Sequence, residues 1–109
     1  MICLTQTNES IGTIDLFEFD PMHFRVGLGV LIFEQFRKKG YAIEAIELVK
    51  EYTQNILLLN QLFCNISSSN NESINLFEKC GFEKIGVKKQ WNRISINQFE
   101  DELMYQLVF

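Results

Sequence analysis

The sequence is short of several residue types, and each shortage narrows what it encodes. It has one histidine and one proline. A lone His23 cannot supply the paired imidazoles of a typical zinc site. The three cysteines, Cys3, Cys64 and Cys80, are odd in number and widely spaced. They form neither a metal-ligand pattern nor a disulfide framework, and they read as reduced thiols of a cytoplasmic protein. No apolar run approaches the ~18 residues that a membrane span needs. The start, "MICLTQTNES", lacks the charged-then-apolar order of a signal peptide. Positive charge is not in excess either: 10 Lys+Arg against 14 Asp+Glu give a net charge of −4. That argues against a nucleic-acid surface and suits a cationic small molecule.

Apolar residues are plentiful. A hydrophobic fraction of 47% with ten phenylalanines in 109 residues is enough for a core, and the length predicts one domain over residues 1–109. Residues 1–7, 11–19 and 24–33 read as strands of an antiparallel meander. In the last of them Val26, Leu28, Val30 and Ile32 alternate onto one face. The period then lengthens: Ala42, Ala45, Ile46, Val49, Thr53 and Ile56 recur at helical steps. A short strand at 62–67 follows, so strand, helix and strand suggest a parallel crossover. Ser69 and Glu72 have capping-box spacing, which predicts a second helix with Ile74, Phe77 and Cys80 turned inward. Gly81 is placed as its left-handed terminator, with Phe82 folding back. Two strands, near 83–90 and 100–109, close the chain as a hairpin. No repeat, low-complexity tract or linker interrupts this order.

One stretch is unusual. Arg37, Lys38 and Lys39 stand directly before Gly40 and an apolar helix, where positive charge opposes the helix macrodipole. Amides at a helix start have no intrahelical partner and converge on anions. Gly40 lets a ligand approach the backbone, and Ala42 keeps the first turn thin. On this chemistry alone the stretch is either a diphosphate cradle or a solvated basic loop.

Arg37-Lys38-Lys39-Gly40-Tyr41-Ala42, as Arg-x-x-Gly-x-Ala between a strand and a helix, resembles the acetyl-coenzyme A signature of the GNAT N-acetyltransferases. "NNESINLFEKCGF", from Asn70 to Phe82, resembles that superfamily's second conserved segment and stands one strand later, as it should. The likeness runs from Ile11 to the C-terminus and is nearest the spermidine/diamine and ribosomal-protein N-terminal acetyltransferase branch. It implies an α+β GNAT-type mixed sheet with two main helices. It also implies transfer of acetyl from acetyl-CoA to a primary amine: a polyamine, a diamine or a protein N-terminus. The pyrophosphate would rest on Arg37, Lys38, Lys39, Gly40, Tyr41 and Ala42. The pantetheine arm would pair with the strand end at Leu31, Ile32 and Phe33, where the family usually carries a β-bulge. Asn71 matches an asparagine that touches the cofactor in relatives, and it reads equally well as a helix cap.

The sequence departs from the family in three places. Phe77 stands where relatives often carry a tyrosine thought to protonate the leaving thiolate. Gly27 stands where polyamine-type relatives often carry a carboxylate that helps deprotonate the amine. Ile43 replaces a frequent hydroxyl residue. No catalytic residue is therefore named. Family members also usually begin with a strand and two helices that wall the acceptor site, so the chain reads as a fragment or a short form. An open sheet face or edge in either case favours homo-oligomers. The rival reading is a non-catalytic, CoA-binding or oligomerising remnant.

Other polar residues have two readings each. His23 is a solvated turn residue or a base, and Cys80 is core packing or a proton donor. Asp15, Glu18, Asp20 and Glu34 form a solvated surface or line a cation's path. Trp91 and Arg93 are packing plus a surface charge, or a substrate contact. Tyr41 reads as packing at the helix start.

Overall fold

The computed structural model describes residues 2–3, 10–32 and 40–109. In chain order the elements are β1 (Ile2–Cys3), β2 (Ser10–Asp20), β3 (Arg25–Ile32), α1 (Tyr41–Asn55), β4 (Gln61–Ser67), α2 (Asn71–Lys79), β5 (Glu83–Ser95) and β6 (Gln98–Val108). They build the α+β architecture read from the sequence. One six-stranded sheet has the order β1-β2-β3-β4-β6-β5. The meander β1-β2-β3 is antiparallel, β3 and β4 run parallel across α1, and β4-β6-β5 is antiparallel again.

The core lies on one side of this sheet. The pleat sends every second residue to the same face. Val26 and Leu28 of β3, Leu62, Cys64 and Ile66 of β4, and Tyr105 of β6 are buried there. Ile46 of α1 and Phe77 and Cys80 at the end of α2 join the same cluster, so both helices cover this face. Lys50 ties the helices together: its Nζ donates to the Cys80 carbonyl at 2.9 Å and pairs with Glu47 at 3.0 Å. By register, the opposite face carries Asp15, Phe17, Gly27, Gly29, Leu31, Phe63, Asn65 and Ser67. No described helix covers it.

Helix α1 buries Ala45, Ile46 and Thr53, as its periodicity predicts. Ile56 does not belong to that stripe. It is the C-cap, its N–H bonds the Tyr52 carbonyl, and it is 65% exposed. The chain turns away just after it, through Leu58 at φ 56.

Helix α2 starts one residue later than the capping box implies. Asn70 is the N-cap, and its side chain accepts from the Ser73 N–H at 3.1 Å. The Ser69 hydroxyl is engaged elsewhere, donating to Glu100 at 2.8 Å, so the Ser69–Glu72 box does not form. The C-terminus closes as expected. Gly81 has φ 92, its N–H bonds the Glu78 carbonyl, and the Phe82 N–H bonds the Phe77 carbonyl. These two bonds make a Schellman motif, and the Phe77 and Phe82 rings meet edge-on at 5.1 Å.

The C-terminal hairpin is longer than the sequence suggests, with strand reaching Ser95 and resuming at Gln98. The pairs Lys88↔Glu102 and Asn92↔Glu100 leave extra residues on β5 between them. This bulge, with Gln90 at φ 49, breaks the alternation that would have revealed the strand. The Asp101 carboxylate accepts from the Gln90 N–H at 2.9 Å and pairs with Lys89, and Lys88 lies 5.0 Å from the Trp91 ring centre.

Candidate active site

The parallel seam opens partway along. Arg25↔Gln61, Val26↔Leu62 and Gly27↔Phe63 are paired, and beyond them β3 and β4 part. From Leu28 to Ile32 the described ladder of β3 is with β2 alone. From Cys64 to Ser67, β4 continues with β6 alone. The result is a cleft whose two strand edges have no partner strand among the described residues, each presenting backbone donors and acceptors.

Both helices begin at the mouth of this cleft, because each follows the C-terminal end of one of its two strands. At α1 the N-cap is Gly40, with φ 80 and ψ 1 and no side-chain cap. A Cβ at Gly40 would meet nothing within 4 Å among the described residues, and its left-handed dihedral itself calls for glycine. Amides in the first turn of a helix lack intrahelical acceptors and carry the positive end of the dipole. Tyr41 and Ala42 sit there half-buried. Asn71 is the first residue of α2 and is exposed; the capping role expected of it belongs to Asn70.

Of the residues read as cofactor-binding, the described ones stand where these elements end or begin. Leu31 and Ile32 end β3, Gly40, Tyr41 and Ala42 start α1, and Asn71 starts α2. Phe33, Arg37, Lys38 and Lys39, and the acidic Glu34, lie outside the described residues. The bulge expected on β3 is absent from the part described, since pairing from Gly12↔Ile32 to Phe17↔Gly27 is unbroken. The irregularity is on β2 instead, between Phe17 and Asp20, with Glu18 at φ 50.

The β4 lip of the cleft is held by a carboxylate. Ser67 and Ser69 both donate to Glu100, on its two oxygens. The Ser67 hydroxyl and then the Ser69 hydroxyl hold the Glu100 carboxyl below its ordinary value. Beside them Asn65 accepts from Lys88 at 3.1 Å, and Lys88 pairs with Glu102. Sequence reasoning missed this network, which joins residues 14 to 33 positions apart through strand register.

Other candidates sit away from the cleft. His23 is in the β2–β3 turn at the opposite end of the sheet, where its N–H donates to Asp20 at 3.0 Å. That bond is the main cause holding the Asp20 carboxyl below its usual value, with the charges of His23 and Arg25 adding to it. Cys80 is core packing, and burial raises its thiol pKa, with Glu47 adding to the rise and Lys50 opposing it. Burial alone pushes the Cys64 thiol up to about 12. Phe77 is buried against Phe82 and has no proton to give. Trp91 is exposed, on the hairpin beyond the cleft. Among the described residues no cluster of His, Cys, Asp and Glu could hold a metal, and no helix is long and apolar enough to cross a membrane.

Comparison with known proteins fits this geometry. The N-acetyltransferase YokL of Bacillus subtilis, SPbeta prophage-derived and uncharacterized, is 34% identical over 85 residues, covering 78% of this chain and 48% of that protein. A spermidine N(1)-acetyltransferase of Vibrio cholerae is 28% identical over 76 residues, covering 70% and 44%. Among solved structures, a variant of the Vibrio cholerae spermidine N-acetyltransferase SpeG superposes with a TM-score of 0.90 at 22% identity, over 98% of this chain and 62% of that one. The same enzyme in complex with CoA and spermine gives 0.84 at 23% identity, over 90% and 57%. These structures carry the fold. The chain spans about half the length of the curated relatives it matches first. The model of the acetyltransferase (GNAT) domain matches residues 1–83, and with the parted parallel strands and the glycine-started helix beside them, the chain belongs to the GNAT acetyltransferase family.

Proposed function

We propose that residues 1–109 form one acetyl-CoA-binding domain that transfers acetyl to a primary amine, foremost a polyamine or diamine, with a protein N-terminus as the other acceptor class. The observation that carries this reading is the cleft. Two parallel strands part after three pairs and leave edges unpaired among the described residues, next to a helix start that has no side-chain cap. Such an arrangement suits a long ligand with an amide-rich arm and a phosphate end. The spermidine acetyltransferases among the relatives support the choice of amine.

The fit is local and chemical. Acetyl-CoA supplies an acetyl group activated as a thioester, whose C–S bond is exchanged for a C–N bond to the amine with release of the thiol. Leu31, Ile32 and Phe33 would hold its amide arm through their backbone. Arg37, Lys38, Lys39, Gly40, Tyr41 and Ala42 would hold its phosphates, and Asn71 would add a side-chain amide. The helices occupy the core face, so the amine would enter from the other face of the sheet. A backbone N–H on one of these strand edges would polarise the reacting carbonyl. With glycine at 27 and phenylalanine at 77, protons would be exchanged with water.

Titration calorimetry with CoA, adenine-only and dephosphorylated analogues tests the cradle. A thiol-release assay with acetyl-CoA and a panel of amines tests the transfer. CoA binding that weakens on Gly40→Ala or Arg37→Ala, together with thiol release driven by diamines, is expected. Unaltered binding in both variants, or no release with any amine, overturns the reading. Two further expectations go with it. The unpaired thiols Cys64 and Cys80 support a cytoplasmic location. Exposed Leu31, Trp91, Ile94 and Phe99 support self-association, which sedimentation of the full chain would measure.

A further inference from the structure

Gly27 and Phe63 are the last pair before β3 and β4 part. Phe17 stands opposite Gly27 on β2. Its ring lies down over the glycine: a Cβ built on Gly27 would fall 2.3 Å from Cε2, 2.5 Å from Cζ and 2.6 Å from Cδ2 of Phe17. The ring thus fills the volume into which any side chain at 27 would project. It then meets the Phe63 ring edge-on, at 5.6 Å between centres and 87° between planes. Phe63 is left 7% exposed although no described helix covers this face. Gly29, next along the same face of β3, has among the described residues only the Asp15 Cβ near its own missing side chain, at 4.0 Å. On the face that no described helix covers, the inner end of the cleft is therefore an aromatic wall followed by a glycine.

We propose that Phe17, laid over Gly27 and braced by Phe63, is a specificity-determining residue that selects amines carried on plain methylenes over α-amino groups flanked by a carbonyl. The proposal rests on the acetyl-transfer reading and narrows its acceptor. An aromatic ring offers dispersion contacts to CH2 groups and tolerates a nearby ammonium. It offers no partner to the peptide C=O and N–H that follow a protein N-terminus, and polar groups desolvated without partners are costly. The first carbons of a diamine carry no such groups. Neither Phe17 nor Gly27 carries a base, and the amine reacts as its free form. Its N–H proton passes to water as the C–N bond replaces the C–S bond, and the departing thiolate takes a proton from water.

The test compares thiol release from acetyl-CoA with 1,4-diaminobutane and with triglycine. It uses the wild-type chain, Phe17→Val, the bulkier Phe17→Leu, and Phe17→Val combined with Gly27→Glu. The preference in kcat/KM for the diamine is expected to fall about tenfold in Phe17→Val, the scale of a few contacts in an apolar pocket. In the double variant the vacated volume takes a carboxylate, and the pH–rate profile is expected to move to lower pH. Gly27→Ala alone is expected to lower the thermal midpoint, and adding Phe17→Val to restore it. An unchanged preference in both Phe17 variants, with turnover intact, overturns this proposal and leaves acetyl transfer standing. A Gly27→Ala chain as stable as wild type overturns it too. No release by wild type with either amine, and no CoA binding, overturns the underlying reading along with it.

Discussion

Strand β4 treats its two neighbours differently. With β6 it pairs over its whole length, from Gln61↔Val108 to Ser67↔Glu102. With β3 it pairs only from Gln61 to Phe63 and then lets go. Leu62, Cys64, Ile66 and Tyr105 fill the well-paired side with buried apolar surface. The parted side has strand edges, a left-handed glycine and two helix starts. One seam stabilises the fold, and the other gives up part of that stability to leave backbone groups for a guest. The same strand thus separates where the molecule is held together from where a guest would bind.

The comparison predicts unequal effects. The largest belongs to the full seam. Leu62 is completely buried between the helices and the sheet, so Leu62→Ala is expected to cost about 2–5 kcal/mol in urea unfolding. A loss under 1 kcal/mol would mean that the seam does not carry the core. Next comes the cleft. Gly40→Ala forces a Cβ into a left-handed backbone, at a local cost of roughly 1–2 kcal/mol. It is expected to weaken CoA binding about tenfold, with a smaller change in unfolding midpoint than Leu62→Ala. The reverse ranking would break the division between the two seams.

A smaller effect is a gain. The Thr53 hydroxyl is fully buried and has no hydrogen-bond partner among the described residues. Thr53→Val keeps the shape and removes the orphan, so it is expected to stabilise by about 1 kcal/mol. The smallest effect is a pH dependence at the β4 lip. The Glu100 pKa is depressed in the folded chain, so its contribution is present above the unfolded-state carboxyl pKa. It is lost as pH falls through the folded value. Urea midpoints from pH 7 to 3 are expected to fall less steeply for Glu100→Gln than for wild type. Equal slopes would assign the acid sensitivity elsewhere, with Asp20 the next candidate.

Local signals in the sequence carried much of this structure. Val26 and Leu28 alternate and are buried, Gly81 ends α2 with a positive φ, and Gly40 starts α1 with one. Each depends on a residue and its near neighbours. What stayed hidden depends on register. Ser69 did not cap α2 because Glu100, brought alongside by β6, takes its hydroxyl. The outer hairpin was invisible because two extra residues near Gln90 put the alternation out of step. The meeting of Phe17 with Gly27 follows from the β2–β3 pairing, which is offset by the bulge at Glu18. No short window of sequence reports any of these.

The bond from Lys50 to the Cys80 carbonyl has a mechanical consequence. Helices α1 and α2 line the two sides of the cleft mouth, and this ammonium rivets the middle of one to the tail of the other. With these two points fixed, widening the mouth by swinging the helices apart would break a charge-assisted bond. Accommodation is left to β3, which beyond Gly27 is tethered in the described ladder only through β2. The proposed slot would then have a rigid jaw and a compliant one, and a guest of unusual girth would register first as strain in the meander.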